Sequence, residues 1–249
     1  MENERRTALI TGSGQMIGRG IALRLAEAGF NIILNGSKNK DACDAVAKEL
    51  TAFGVDTLVA MGNVGVKEDT DRIIKSALDR FGSIDVLVNN AAIRPHTAFL
   101  DVTDAEWDEV HNINLKGPLW MIKACLPGMM ERKWGRIINF TGMMAQQGYQ
   151  GAAAVASSKH ANWGLIKSLS DEFGKYGITA NIISPGTFPG DDFDVEMDER
   201  RKKLRDENPL RRLGRTTEIG GLIAYLCSED GAFMNGQMLQ INGGVVVQF

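Results

Sequence analysis

The chain has 249 residues, of which 44% are hydrophobic and 24% are charged, and its formal net charge at pH 7 is −3. This length suits one large α/β domain, residues 1–249, with enough apolar side chains for a sizeable core. The near balance of 28 basic and 31 acidic side chains lacks the basic excess typical of nucleic-acid binding proteins. We therefore expect a small-molecule partner and no nucleic acid.

The three cysteines, Cys43, Cys125 and Cys227, are odd in number, widely spaced and not arranged as a CxxC pair. This pattern argues against a disulfide framework and against a zinc site, so we expect reduced, buried thiols and no metal. The N-terminal stretch MENERRTALITG is charged and its apolar run is too short for a signal peptide, and no stretch approaches the length of a membrane span. These features predict a cytoplasmic protein without a membrane partner.

Short β-branched runs alternate along the chain with segments of helical period such as IALRLAEAG and DRIIKSALDRFG. The predicted strands are TALIT (7–11), NIILN (31–35), DTLVA (56–60), DVLVNN (85–90), RIINF (136–140) and ITANIIS (178–184). Because these runs are apolar almost throughout, they indicate a doubly wound α/β fold whose parallel sheet is covered by helices on both faces. Ligands of such sheets bind beyond the carboxyl ends of the strands, so we expect the site in the loops after residues 11, 35, 60, 90, 140 and 184.

One segment, residues 187–210, breaks this rhythm. It is polar and rich in charge, and we interpret it as a mobile lid over the site. Its run ERRKKLRDE is typical of the solvated face of a helix, and a phosphate-binding patch is the less favoured interpretation because acidic residues are interleaved.

The stretch TALITGSGQMIGRGIALRLAEAG has the order strand, glycine-rich turn, helix. Backbone N–H groups at the start of such a helix attract a pyrophosphate, and glycines let the main chain approach it. A tight turn without a ligand is the alternative, but the position between a first strand and an amphipathic helix favours dinucleotide binding.

Together with NNAA (89–92), INLKGP (113–118), SSKHA (157–161), SPGT (184–187) and INGG (241–244), this turn closely resembles the short-chain dehydrogenase/reductase family. The resemblance runs from about residue 6 to residue 244. It implies a single Rossmann-type domain of about seven strands and a nicotinamide-dependent oxidoreductase acting on a small carbonyl or alcohol. It also implies a homo-oligomer, either a dimer or a tetramer, and the terminal VVVQF and the tryptophans Trp107, Trp120 and Trp163 on helices of the predicted interfaces agree with this.

The resemblance carries over a set of dinucleotide contacts, although Met16 stands where the family has a glycine and its side chain must turn aside or crowd the phosphates. The expected contacts are Gly12, Ser13, Gln15, Met16, Ile17, Gly18, Ser37, Lys38, Asn63, Val64, Asn90, Ala91, Ala92, Thr141, Lys159, Pro185, Gly186 and Thr187. No acid follows the second strand, whereas Ser37 and Lys38 could hold a phosphate, so the sequence favours NADP(H) over NAD(H). Lys38 as an ordinary surface lysine is the alternative.

The catalytic pattern of the family is only half present. Lys159 matches its lysine and Asn114 matches its asparagine, but Val155 stands at the tyrosine position and Gly142 at the serine position. In an ordinary carbonyl reductase, loss of a general acid would cost about two to four powers of ten in rate, and loss of an oxyanion donor about two or three more.

Two side chains could replace the missing acid, Tyr149 in the loop before the helix that carries Lys159 and His96 in the loop after NNAA. A pocket wall and a solvent-exposed loop residue are the respective alternatives. The sequence therefore leaves three hypotheses open: an oxidoreductase with a displaced proton donor or a water held by Asn114 and Lys159, a dinucleotide-binding protein without turnover, and a lyase or isomerase.

Overall fold

The structure is a computed structural model that describes residues 5–190 and 197–247. Strands and helices alternate along the chain as the periodicity predicts. The strands are β1 (Thr7–Ile10), β2 (Asn31–Gly36), β3 (Thr57–Met61), β4 (Val86–Asn89), β5 (Gly135–Phe140), β6 (Ile178–Pro185) and β7 (Met238–Ile241). The α-helices are α1 (Met16–Glu27), α2 (Lys40–Leu50), α3 (Lys67–Phe81), α4 (Asp104–His111), α5 (Gly117–Arg132), α6 (Met143–Gln147), α7 (Ala153–Phe173), α8 (Glu199–Glu207) and α9 (Thr216–Cys227).

All seven strands pair in parallel in the order β3-β2-β1-β4-β5-β6-β7, which confirms the doubly wound fold. The order reverses between β1 and β4, where crossovers of opposite direction leave a crevice at the carboxyl ends of the strands. The sequence pattern did not single out β7, because its four residues MLQI are half-buried and include a glutamine.

Successive residues of the central strands enter two different cores. Ile32 and Leu34 pack with α1, α2 and α9 on one face of the sheet, whereas Leu9 and Ile33 pack with α3, α5 and α7 on the other. Because both faces are covered, neither set of alternating side chains can be polar, which explains the continuous apolar runs.

The polar segment 187–210 contains a helix where the sequence predicted one. The run ERRKKLRDE forms α8, none of its residues is buried, and Lys202 pairs with Glu199 and Lys203 with Glu207. The expectation of a solvated helix is therefore confirmed. Residues 191–196 lie outside the described residues, so the lid remains a prediction.

The three thiols are buried, as predicted. Burial raises the pKa of both Cys125 and Cys227 to about 12, which keeps these thiols protonated and unreactive at neutral pH. Within the described ranges, no helix is long and apolar enough to cross a membrane and no group of acidic, histidine or cysteine side chains could hold a metal ion.

Candidate active site

A cleft of about 380 Å³ opens at the carboxyl ends of the strands, at the point where the strand order reverses. All six loops in which the sequence predicted the site contribute to its walls. The described residues that line it are Gly12, Gln15, Met16, Ile17, Gly18, Asn35, Ser37, Gly62, Asn63, Val64, Asn90, Ala91, Ala92, Ile93, Arg94, Ile113, Phe140, Thr141, Lys159 and Pro185.

The glycine-rich turn forms one end of the cleft. Gly12 has φ +63°, and a Cβ on Gly18 would lie 2.2 Å from the carbonyl oxygen of Gly12, so both positions require glycine. The side chain of Asn90 donates to the carbonyl oxygens of Thr11 and Gly12, both at 2.9 Å, and fixes the turn to the end of β4. The Gln15 side chain makes no capping hydrogen bond at the start of α1, and the start of a helix is a place where backbone N–H groups bind anions.

Met16 is the strained residue of this turn. Its φ of +50° lies in the left-handed region, which disfavours any residue with a Cβ. Its side chain, 40% exposed, crosses towards the loop after β6, where a Cβ on Gly190 would lie 3.0 Å from Met16 Cγ. The side chain points towards Gly190, and Met16 still lines the cleft, so whether it crowds a bound dinucleotide stays a prediction.

Not every expected dinucleotide contact lines the cleft. Ser13 is buried below the turn, where its hydroxyl accepts from the Asn35 N–H at 2.9 Å, and Lys38 is exposed outside the cleft. Gly186 packs against Asn242, and Thr187 lines a smaller separate cavity. None of these four residues is among the described residues that line the main cleft, and their contacts with a dinucleotide stay predictions.

The Asn63 side chain is also used locally. The side-chain oxygen Oδ1 of Asn63 accepts from the Gly65 N–H at 3.0 Å. The backbone N–H of Asn63 donates to Asp69 Oδ2 at 2.7 Å. The hydrogen bond from the Asn63 N–H lowers the pKa of Asp69 most, and the hydrogen bond from the Arg72 side chain lowers it further. Asn63 and Val64 therefore form a rigid wall of the cleft beyond β3.

Lys159 lies at the opposite end of the cleft from this wall, on α7. Its side chain is 5% exposed, and Nζ donates to the carbonyl oxygen of Phe140 at 2.9 Å. Burial, with a smaller contribution from the positive charge of Arg94, lowers the pKa of Lys159 to about 7. The buried amine therefore loses its proton more readily than an ordinary surface lysine.

Asn114 lies in a π-helical turn, Asn112–Lys116, between α4 and α5, and its side-chain amide and backbone carbonyl have protein partners. Its Oδ1 accepts from the Ile93 N–H at 2.9 Å, and its Nδ2 donates to the Ile93 carbonyl oxygen at 3.0 Å and to the Ser158 hydroxyl at 3.3 Å. Its backbone carbonyl accepts from Asn162 Nδ2 at 2.5 Å. Asn114 is 1% exposed and is not among the described residues that line the cleft, so its side chain positions the loop at Ile93. The water-holding role that the resemblance implied stays a prediction.

Asn162 belongs to a buried chain of amides that crosses the sheet. Asn89 donates to Asn139 and Asn139 donates to Asn162, both at 2.8 Å, and Asn162 then donates to Asn114. Because unpaired buried amides are costly, this chain fixes β4, β5, α7 and the π-helical turn relative to one another.

The two positions without catalytic groups differ in their surroundings. Val155 is 2% exposed and packs with Val110, Ala152 and Ala154, so its side chain fills a small apolar core and does not line the cleft. At Gly142, by contrast, an added Cβ would meet no described atom within 4 Å. The tyrosine position is therefore closed by packing, whereas the serine position is open.

Tyr149 and His96 lie beside each other but outside the main cleft. Their ring centroids are 6.3 Å apart with an interplanar angle of 29°, and a Cβ on Gly151 would lie 2.7 Å from His96 Cε1. Tyr149 lines a separate cavity of about 370 Å³ with Phe99 and Gly148. Neither side chain is among the described residues at the Lys159 end of the cleft, so the structure favours the pocket-wall and loop interpretations.

The sequence reasoning missed several cleft residues, above all Arg94, which brings a second positive charge near Lys159. A usable signal was present, because Arg94 follows the predicted strand DVLVNN by only four residues. The others are Asn35, Gly62, Ile93, Ile113 and Phe140.

Comparisons with known proteins agree with this architecture. The profile of the family described as enoyl-(acyl carrier protein) reductase matches residues 12–246. The chain is 35% identical over 240 residues to a 3-oxoacyl-(acyl-carrier-protein) reductase of Staphylococcus epidermidis, which covers 96% of this chain and 98% of the relative. It is 34% identical over 241 residues to a (2S)-((R)-hydroxy(phenyl)methyl)succinyl-CoA dehydrogenase subunit of Thauera aromatica, with coverage of 97% and 96%.

Among solved structures, the acetoin dehydrogenase of Salmonella typhimurium superposes with a TM-score of 0.89 at 31% identity, and the match covers 97% of this chain and 96% of that one. The names of these relatives all denote oxidoreductases, one a reductase and two dehydrogenases. The similarity extends over nearly the whole chain, including the cleft.

Proposed function

Because the chain belongs to the short-chain dehydrogenase/reductase family of oxidoreductases, we propose that it binds NADP(H) in the cleft and interconverts a small carbonyl compound and its alcohol, with Lys159 moving the proton. The observation that carries this proposal is the position of Lys159, whose buried amine lies in the cleft wall and donates to the Phe140 carbonyl oxygen at 2.9 Å. Burial lowers its pKa to about 7, which suits proton transfer near neutral pH. A bound nicotinamide dinucleotide would supply or accept the hydride.

The residues of the cleft fit such a cofactor. In this proposal the start of α1, which the Gln15 side chain does not cap, binds a pyrophosphate, and the tight turn at Gly12 and Gly18 lets the backbone approach it. Ser37 lines the cleft beyond β2, and no described residue of the lining is acidic and could repel a 2′-phosphate, which favours NADP(H) over NAD(H).

Lys159 replaces the missing phenol in this proposal because a general acid works best when its pKa is near the operating pH. Its ammonium donates a proton to the substrate oxygen during reduction, and its neutral amine accepts one during oxidation. Reduction should therefore slow as the pH rises through about 7, and oxidation should accelerate over the same range.

The test combines binding with turnover. NADPH and NADH are titrated by nicotinamide fluorescence, and acetoin and acetoacetyl-CoA are assayed as substrates suggested by the names of the relatives. We expect tighter binding of NADPH, and turnover that Lys159→Met abolishes. Lys159→Arg is the matched control, because it keeps a positive charge but releases no proton near neutral pH. Turnover by either variant at the wild-type rate would contradict the role of Lys159.

A second candidate function is a non-catalytic subunit of a hetero-oligomeric dehydrogenase. Two observations favour it: Val155 closes the tyrosine position, and Met16 crosses towards Gly190 above the cleft. The Thauera aromatica relative is also named as a subunit. If the wild type binds NADPH without turnover and Gly142→Ser/Val155→Tyr turns over, this second candidate replaces the first.

The proposal also includes a homo-oligomer, a dimer or tetramer, in the cytoplasm. Large apolar side chains at the surface support self-association, among them Phe99 (69% exposed) and Leu100 (94% exposed) before α4. Light scattering of the purified protein gives the mass of the assembly directly.

A further inference from the structure

Arg94 brings a second positive charge to the end of the cleft that contains Lys159. It lies in the loop after β4, and it and Lys159 are the two charged residues among the described residues that line the cleft. None of those residues is acidic. Ile93 and Pro185 also line the cleft, so it offers apolar surface as well as these two charges.

The backbone on both sides of Arg94 is fixed. Asn114 binds both the N–H and the carbonyl oxygen of Ile93, and the Thr97 N–H donates to the carbonyl oxygen of Gly151 at 2.9 Å. The Thr97 hydroxyl also donates to Glu106 Oε2 at 3.0 Å. A loop held at both ends presents its arginine from a defined position, which reduces the entropy lost when a ligand binds.

No partner of the Arg94 guanidinium is seen in the part of the chain that the structure describes. Within residues 5–190 and 197–247, Arg94 forms no hydrogen bond and no ion pair, although it is close enough to Lys159 to disfavour the charged form of that amine. Two positive groups that face one cleft without a described counter-charge create a positive potential there. An anion would relieve their repulsion.

We infer that the Lys159 end of the cleft binds a carboxylate through the guanidinium of Arg94, so that the substrate carries an acid group beside an apolar body. Arginine fits this role because its planar fork binds both oxygens of a carboxylate. Ile93 and Pro185 contact the hydrocarbon part. This inference rests on the proposed function, since it names the substrate class of the same site.

The experiment compares two probes of nearly identical shape, 3-phenylpropanoate and 3-phenylpropanamide, by calorimetry with and without NADPH. We expect the wild type to bind the carboxylate about tenfold more tightly than the amide, as a charge-assisted contact predicts. Arg94→Gln should abolish this preference, and Arg94→Lys should keep part of it. Lys48→Gln, which removes an exposed positive charge on α2 outside the cleft, should leave it unchanged.

Equal binding of the two probes by the wild type would overturn the inference, and so would a preference that survives in Arg94→Gln. It would also fail if Arg94→Gln weakened NADPH binding and the wild type showed no carboxylate preference, because Arg94 would then serve the dinucleotide. A carboxylate preference without NADPH binding would support the inference and reject the proposed function, so the two failures are distinguishable. Unfolding curves of each variant establish that it is folded.

Discussion

Asn114 binds both backbone groups of Ile93 with one amide side chain, accepting from its N–H at 2.9 Å and donating to its carbonyl oxygen at 3.0 Å. A residue of a π-helical turn therefore fixes the loop that carries Arg94. π-Helical turns are frequent at functional sites, where the extra residue re-aims a side chain. Here the turn aims Asn114 at a loop that is 21 residues away in sequence.

Asn114→Ala should lower the free energy of unfolding by about 1–3 kcal/mol, because it leaves partly buried backbone groups of Ile93 without partners. Asn114→Asp should also be destabilising, since a carboxylate cannot donate to the Ile93 carbonyl oxygen. Asn112→Ala in the same turn is the matched control, because no side-chain hydrogen bond of Asn112 is seen among the described residues. Chemical denaturation measures all three, and equal losses for Asn112→Ala and Asn114→Ala would contradict the positioning role.

Met16→Gly should tighten dinucleotide binding and stabilise the fold. Glycine accepts the φ of +50° without the Cβ penalty, which is about 1 kcal/mol, and it removes the side chain that reaches Gly190. Met16→Ala separates the two effects, because it removes the thioether but keeps the strained Cβ.

We expect NADPH affinity to rise severalfold in both Met16 variants and the unfolding free energy to rise only in Met16→Gly. Fluorescence titration and denaturation measure the two quantities. Unchanged affinity in both variants would mean that the Met16 side chain does not compete with the dinucleotide.

The sequence predicted the fold well because its main determinant is local. Apolar β-branched runs such as NIIL must be covered on both faces, and the six loops that follow them converge on one edge of a parallel sheet. What escaped prediction depends on contacts between distant residues. Asn162 binds Asn114 across 48 positions, and the π-helical turn at Asn114 has no sequence signature of its own.

The side-chain directions in the loops were equally hard to predict. Tyr149 lies between Gly148 and Gly151, whose φ values of +74° and +76° re-aim the chain between α6 and α7 and place the phenol beside His96. The sequence placed Val155 correctly on the Lys159 helix, but only the packing with Val110 shows that its side chain is buried in a small core.

Restoring the two missing catalytic side chains, at positions 142 and 155, should lower the free energy of unfolding by unequal amounts. Gly142 has an extended backbone with φ −174° and open space at its Cβ, so Gly142→Ser should change the unfolding free energy by less than about 0.5 kcal/mol. Val155→Tyr should cost about 1–3 kcal/mol, because a larger side chain must enter the packed cluster around Val155. Val155→Ile is the control for a smaller increase in volume. If Val155→Tyr were as stable as the wild type, the ring would have to leave this cluster.

Lys159→Met should stabilise the protein in a manner that depends on pH. In the folded state the pKa of Lys159 falls to about 7, below its ordinary value of 10.5. The charged amine therefore lowers the stability of the folded state. Below pH 7 the amine is charged in both states, and the full cost of burying that charge is present. Between pH 7 and 10.5 the unfolded state alone is protonated, and the cost declines as the pH rises.

The gain in unfolding free energy for Lys159→Met should therefore be largest below pH 7, at a few kcal/mol on the scale of about 1.4 kcal/mol per pKa unit, and should fade towards pH 10.5. Part of the gain is offset because methionine cannot donate to the Phe140 carbonyl oxygen. Denaturation curves at intervals from pH 5 to about pH 10 measure the difference. Arg94→Gln should shift the same dependence to higher pH, because removal of the nearby charge raises the pKa of Lys159. A gain for Lys159→Met that does not change with pH would show that the buried amine is not the titrating group.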